Sequence, residues 1–166
     1  MLAPFFNRYT IMNEQELFFR TLQSGNLDNL NAQLERNPDL ANITDSRGFT
    51  PLIFATYFNN AAATEMLLQH GAKVDAQDAS GNTALLGVCF KGNTELVALL
   101  LKHKANINAQ NKMGTTPLIF AVSYDQKAIV ELLLANGADK TIKDHSGKTA
   151  LEHAEEKGLT HLSELL

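Results

Sequence analysis

The sequence predicts an all-α solenoid of about five stacked helix pairs joined by turn or β-hairpin fingers, and two observations support this prediction. The first is an internal repeat, in which a glycine and, two residues later, a threonine recur every 33 residues. The glycines are Gly48, Gly81, Gly114 and Gly147, and the threonines are Thr50, Thr83, Thr116 and Thr149. The second is that apolar residues at helical spacing follow each of these threonines. Repeats of this length form solenoids, in which each unit buries its apolar faces only against its neighbours.

The composition is typical of a soluble, packed protein and excludes two classes of partner. Of the 166 residues, 45% are hydrophobic and 19% are charged. The 14 lysines and arginines are interspersed with 18 carboxylates and the net charge is −4, so we expect no nucleic-acid partner. No apolar stretch approaches the roughly 18 residues that a membrane span needs. A single cysteine excludes an intramolecular disulfide. We expect a cytoplasmic protein, predominantly a monomer, with weak homo-oligomerisation as the alternative.

Each unit is predicted to begin with a tight turn and a capped helix. In "DSRG", "DASG" and "DHSG" the Asp accepts hydrogen bonds from the backbone two residues on, and the Gly adopts a positive φ. The threonine that follows is a suitable N-cap, and Pro51 and Pro117 occupy the first helical position, where a missing N–H costs nothing. "TALE", Thr149 to Glu152, has the spacing of a capping box. A first helix therefore runs through "PLIFATYF", "ALLGVCF", "PLIFAVSY" and "ALEHAEE".

The second helix of the full units carries "TEMLLQH", "TELVALLLKH" and "KAIVELLLAN". Gly71 and Gly137 follow two of these helices, where glycine adopts the left-handed conformation that ends many helices. In the third unit Lys104 occupies this position, so a turn of the same shape strains the lysine backbone by roughly 1 kcal/mol. We expect this junction to be the least stable in the stack.

Turn, helix, turn and helix with a period of 33, with "G-x-T-P-L" opening the first helix, resemble the ankyrin repeat over about residues 13–166. Leu-Leu pairs at 67/68, 100/101 and 133/134 support the resemblance in three copies. The family pattern favours His after "TPL". This chain has other residues there, so the polar contacts that this histidine usually makes between repeats are not expected. These residues are Ile53, Leu86, Ile119 and Glu152.

The resemblance implies a short N-terminal extension, residues 1–12, followed by one ankyrin-repeat domain, residues 13–166. We expect the domain to consist of five units, namely an N-terminal cap repeat at 13–45, full repeats at 46–78, 79–111 and 112–144, and a C-terminal cap repeat at 145–166. The opening "MLAPFFNRYTIM" lacks the basic region and the cleavage pattern of a signal peptide. Translation could instead begin at Met12. If the extension is native, its apolar residues would cover the N-terminal cap or, as the less favoured alternative, enter the groove as a pseudo-ligand. These residues are Phe5, Phe6, Tyr9 and Ile11.

The reactive residues form no recognisable active site or metal site, so we predict a protein without catalysis, metal or cofactor. His70 and His103 lie one repeat apart at helix C termini, where the helix dipole favours a cation. His153 and His161 match neither H-E-x-x-H nor a zinc-finger spacing. Cys89 falls on a helix position that we expect to be buried, and no His is paired with it to form a thiolate.

The resemblance also implies a binding surface, because ankyrin stacks bind partners with their turn tips and with the exposed side of their first helices. Together these form the concave face. Carried over by position, the predicted site residues are Arg47, Phe49, Tyr57, Phe58, Phe90, Lys91, Lys112, Met113 and Tyr124. The six large apolar residues among them are expected to face solvent, and Phe54 and Phe120 to face the core. Adjacent exposed apolar residues mark interaction surfaces, and Tyr, Phe, Met and Arg are enriched at interface centres.

We therefore expect a non-catalytic module that binds a protein or peptide partner in the groove around Tyr57, Phe90 and Tyr124, with the three cations at its rim. An extended peptide or a helix would fit such a groove. One alternative is structural self-association, in which the same aromatic patch forms a homo-oligomer. Another is that Tyr57, Phe58 and Phe90 only pack between neighbouring helices and stiffen the stack.

Overall fold

The computed structural model describes residues 12–166, which form five stacked helix pairs. The first helices of the pairs are α1 (Glu14–Ser24), α3 (Pro51–Tyr57), α5 (Ala84–Lys91), α7 (Pro117–Ser123) and α9 (Ala150–Glu156). The second helices are α2 (Leu27–Arg36), α4 (Ala61–Gln69), α6 (Thr94–Lys102), α8 (Lys127–Ala135) and α10 (Thr160–Ser163). A short 3-10 helix, Pro38–Asn42, follows α2. The predictions for Phe5, Phe6, Tyr9 and Ile11 lie outside the described residues.

The first helices begin at the predicted caps. A threonine hydroxyl accepts a hydrogen bond from the backbone N–H three residues on in each of the four copies. In the last copy, Thr149 and Glu152 form the predicted capping box. Asparagine side chains cap α4 and α6 in the same way, through Asn60 and Asn93. Each such cap stabilises its helix by about 1 kcal/mol, and these caps fix where the helices start.

The finger before each of the last four first helices is a turn organised by one side-chain oxygen. The Oδ1 atom of its first residue accepts hydrogen bonds from the backbone N–H groups two and four residues on. These first residues are Asp45, Asp78, Asn111 and Asp144. Successive fingers also bond to each other, through Lys112 N to Ser80 O and His145 N to Met113 O. Within residues 12–166 no strand forms, so the fingers are hydrogen-bonded turns and not β-hairpins.

A continuous hydrophobic core runs along the stack between the first and second helices. The leucines at equivalent positions of α4, α6 and α8, which are Leu67, Leu100 and Leu133, are completely buried. First helices pack side by side from α3 to α9, and the second helices cover them from outside. The first helices therefore present their remaining side, together with the finger tips, as a concave face.

The turns after the second helices have the predicted left-handed backbone. Gly71 and Gly137 have φ values of +81° and +83°, and Lys104, which replaces glycine in the third unit, has a φ of +67°. The repeat geometry is thus kept at a position where the residue has a Cβ. A left-handed conformation disfavours residues with a Cβ by about 1–2 kcal/mol relative to glycine.

Replacing Lys104 by glycine should raise the free energy of unfolding by about 1 kcal/mol, because it removes this strain and only part of the gain is lost to the more flexible unfolded chain. Urea denaturation monitored by circular dichroism measures the change. Lys104→Ala is the control, since it shortens the side chain but keeps the Cβ and should leave stability unchanged. An equal gain in both variants would contradict the backbone explanation.

The last finger carries the most strongly bonded carboxylate. Besides the backbone, Asp144 accepts from the Ser146 hydroxyl at 2.6 Å, and its Oδ2 lies 2.7 Å from His153 Nε2. Burial disfavours the charged form, but the hydrogen bonds from Ser146, His153 and the backbone outweigh it and hold the pKa of Asp144 well below its ordinary value. The charged carboxylate therefore stabilises the folded chain.

We expect this stabilisation to depend on pH in a definite direction. Because the folded pKa lies below the unfolded value of about 3.9, the contribution is complete above about pH 4 and is lost as the pH falls through the folded pKa. Asp144→Asn removes the charge and keeps the Oδ1 acceptor, as Asn111 does in the third full repeat. The variant should be less stable than wild type at about pH 7, and urea denaturation should show this difference shrinking below about pH 4. A difference that stays constant with pH would exclude the charge as its cause.

Candidate functional site

Five of the six predicted apolar site residues are exposed on the concave face. Tyr57, Phe58, Phe90, Met113 and Tyr124 expose 44 to 67% of their surface. Phe49 differs from the prediction, because it is half-buried and packs against the core. The Arg47 guanidinium lies 4.6 Å above the centre of its ring, and the Tyr57 ring lies 6.4 Å away. Neighbouring side chains thus shield a ring whose position in the repeat predicted exposure.

The exposed rings form two clusters. The first aromatic cluster consists of Phe49, Tyr57 and Phe58 with Phe54 beneath them, and its ring centres are 4.7 to 6.4 Å apart. The second aromatic cluster consists of Phe90, Phe120 and Tyr124. Phe90 and Tyr124 come from neighbouring repeats and meet edge to face at 4.5 Å. Such contacts stabilise a stack by about 0.5–1.5 kcal/mol beyond the area buried, yet they leave about half of each ring in water.

Between the two clusters lies an open groove of about 250 Å³, which we call the central groove. Its first wall consists of Phe49, Ile53 and Tyr57; its second wall of Phe90, Phe120 and Tyr124; and its floor of Asp78, Asn82, Thr83 and Gly87. Phe58 and Met113 do not line it. Phe54 is buried as expected, but Phe120, which we expected to face the core, is half-buried and lines the groove.

The central groove is open because α5 has no side chain at one position. Gly87 stands 33 residues after Phe54 and 33 before Phe120, at the place where the neighbouring repeats carry a phenyl ring. A Cβ built on Gly87 would meet no heavy atom within 4 Å, and its backbone is helical without a positive φ. Neither space nor conformation therefore requires glycine here. Alignment of the repeats contains this signal, but it was not among our predicted site residues.

The three predicted rim cations are already in contact with their own stack. Arg47 pairs with Asp45 at 2.9 Å. The Lys91 ammonium lies 4.0 Å from the centre of the Tyr57 ring and also donates to the Tyr57 carbonyl oxygen. Lys112 donates to the Ala79 carbonyl oxygen at 2.7 Å. All three side chains remain exposed, and an ammonium group has three donors, so each lysine can still bind an anionic partner group.

The residues that carry reactive chemistry are placed as structural groups. Cys89 is completely buried at a position equivalent to Thr56 and Val122, and burial raises the pKa of its thiol well above the ordinary value. This is the reverse of what a reactive thiolate needs. Among residues 12–166, no three His, Cys, Asp or Glu side chains come together in a way that could hold a metal ion. None of the helices in this part of the chain combines the length and apolarity needed to cross a bilayer.

A second depression, of about 470 Å³, lies between α1 and the first finger. Phe19 and Phe54 form its apolar part, and the rest of its lining is mostly polar or charged. The lining residues include Gln15, Glu16, Arg20, Gln23 and Arg47. The exposed aromatic rings that distinguish the central groove are absent from this lining.

Comparison with protein families agrees with the architecture. A family model described as "Ankyrin repeats (3 copies)" matches the chain over residues 17–111, 71–144 and 88–166. These overlapping matches span all five helix pairs, including both terminal pairs.

The absence of strain at Gly87 generates a prediction about stability. Gly87→Ala should raise the free energy of unfolding by about 1 kcal/mol, because glycine is that much less favourable than alanine in a helix interior and the added methyl meets no atom. Gly81→Ala is the contrasting variant and should destabilise the chain, because Gly81 has a φ of +80° and its Cβ would lie 2.8 Å from Lys112 N. Urea denaturation compares both with wild type. A loss of stability in Gly87→Ala would show that the gap has a structural role.

Proposed function

The chain belongs to the ankyrin repeat family, and we propose that it is a non-catalytic module that binds a protein or peptide partner through the concave face of its repeats. Repeats of this family are generally protein–protein interaction modules, and the proteins that contain them are typically non-catalytic. The proposal adds the location of the binding surface, which is the central groove with its two aromatic clusters.

The observation that carries the proposal is the exposure of Tyr57, Phe90 and Tyr124 around one groove. Each ring leaves 44 to 52% of its surface in water. Removing apolar surface from water stabilises a complex by roughly 25 cal/mol per Å², and aromatic residues in a concave centre are the usual hot spots of interfaces. A partner covering the three rings would therefore gain affinity from side chains that already have fixed neighbours and little freedom to lose.

Packing within the stack explains these rings only in part. The contact between Phe90 and Tyr124 joins two repeats, and the Lys91 ammonium on Tyr57 joins two others. Smaller side chains would allow the same stacking, as Ser123 does in α7 at the position equivalent to Tyr57 and Phe90. The exposed half of each ring has no role in the isolated chain, whereas binding gives it one.

A capture experiment tests the proposal. The full chain and the variant Tyr57→Ala/Phe90→Ala/Tyr124→Ala serve as baits in a lysate from the source cells, after circular dichroism has shown that both are folded. A matched control, Glu95→Ala/Lys102→Ala/Glu131→Ala, changes exposed residues of the second helices. A protein that binds wild type and the control but binds the groove variant at least about tenfold more weakly is the expected result.

Two outcomes would contradict this proposal. Capture that survives in the groove variant would move the binding surface away from the concave face. A mass that rises with concentration in sedimentation of wild type, but not of the groove variant, would assign the same rings to self-association instead. Sedimentation over a range of concentrations therefore accompanies the capture.

A further inference from the structure

The repeats agree at nearly every buried position of their first helices and disagree at one position on the concave side. Successive units carry Phe54, Gly87, Phe120 and His153 there, at intervals of 33 residues. The Phe54 ring contacts Phe58 at 4.7 Å, and the Phe120 ring lies 5.7 Å from Tyr124. In α5 the ring is missing, and the resulting space is open to solvent.

The floor of this space has few polar atoms left for a ligand. Asp78 Oδ1 accepts from the backbone N–H groups of Ser80 and Asn82 at 2.8 and 2.9 Å. The Thr83 hydroxyl accepts from the N–H of Leu86, and Asn82 Oδ1 accepts from Asn111. Because these acceptors serve the finger and the helix cap, the space favours an apolar occupant.

The size of the space indicates what kind of occupant it takes. The central groove measures about 250 Å³. Sites for drug-sized molecules and cofactors usually occupy about 300–1,000 Å³, whereas an apolar cavity of about 150 Å³ accommodates benzene. The groove therefore matches a single bulky side chain of a larger partner, such as that of Leu, Met or Phe.

The surroundings of the groove are cationic. The finger tips and first helices of the three full repeats, residues 46–58, 79–91 and 112–124, contain Arg47, Lys91 and Lys112 but no Asp or Glu. This is a local reversal, because the whole chain has a net charge of −4. The two carboxylates nearest to these segments, Asp45 and Asp78, are occupied by finger hydrogen bonds. Carboxylates of a partner would meet exposed cations on this face without a competing acid beside them.

We propose that the gap at Gly87 is a socket for one bulky apolar side chain, carried by a linear protein segment with acidic residues on either side of it. This inference rests on the proposed function and specifies the chemistry of the partner. The walls of the socket supply apolar contact, and Lys91, Lys112 and Arg47 supply charge complementarity, which favours fast association and correct placement.

The test uses a random peptide library displayed on phage and selected on the immobilised full chain. The expected result is a shared motif with one large apolar residue flanked by Asp or Glu. A selected peptide, synthesised with a fluorescent label, is then titrated against wild type, Gly87→Phe and Gly87→Ala by fluorescence polarisation. Gly87→Phe should weaken binding by about tenfold or more, because it fills the socket with the ring that the neighbouring repeats carry. Gly87→Ala, which adds only one methyl, should stay within about threefold of wild type.

Each outcome has a definite meaning. Equal affinity of wild type and Gly87→Phe, with the latter folded by circular dichroism, would overturn the socket. A selected motif without acidic residues, or an affinity that does not fall with added salt, would overturn the charge requirement. A selection that enriches no peptide would overturn the linear partner segment. In all three cases the capture experiment with the groove variant decides separately whether the concave face binds a partner.

Discussion

The burial of helix faces between neighbouring repeats is the interaction on which the whole structure depends. From α3 onwards each helix is only four to nine residues long, which is too short to be stable alone in water. Each helix becomes stable by packing against the equivalent helix of the next repeat, as complete burial of Leu67, Leu100 and Leu133 shows. A change in one repeat therefore affects its neighbours first, and the surface geometry follows from the stacking.

Polar contacts set the spacing of this stack on the concave side. The carbonyl groups at the end of a helix lack partners within the helix. Here side chains of the following repeat supply them: Lys91 donates to Tyr57, Gln126 donates to Phe90 at 3.2 Å, and Lys157 donates to Ser123 at 2.8 Å. These contacts tie the end of each first helix to the next repeat, and the exposed rings stand at the same helix ends. The width of the central groove is thus fixed by hydrogen bonds that the stack needs anyway.

The architecture could be predicted from the sequence because its determinants are local and repeated. A cap, a turn glycine or the helical spacing of apolar residues acts within a few positions, so Thr50 and Gly71 could be interpreted one unit at a time. The exposure of Phe49 and Phe120 could not, because it depends on side chains that approach from elsewhere in the fold, such as Arg47 over one ring and Tyr124 beside the other. The groove was missed for a related reason. It is created by an absent side chain, and Gly87 attracts notice only when it is compared with Phe54 and Phe120.

Two residues of the stack contradict their local setting, and their contrast bears on where function lies. Lys104 keeps a left-handed turn that glycine would adopt more easily, and Gly87 interrupts a helix that alanine would stabilise. Local inconsistencies in an otherwise consistent sequence concentrate at functional sites. Inconsistency alone does not identify a site, however, since Lys104 lies after α6 and lines neither the central groove nor the second depression. Gly87 differs because its missing side chain opens space between exposed rings, so the stability lost in α5 has a counterpart in accessible apolar surface. A departure from the repeat that also changes what a partner can touch is the one that stacking alone does not explain.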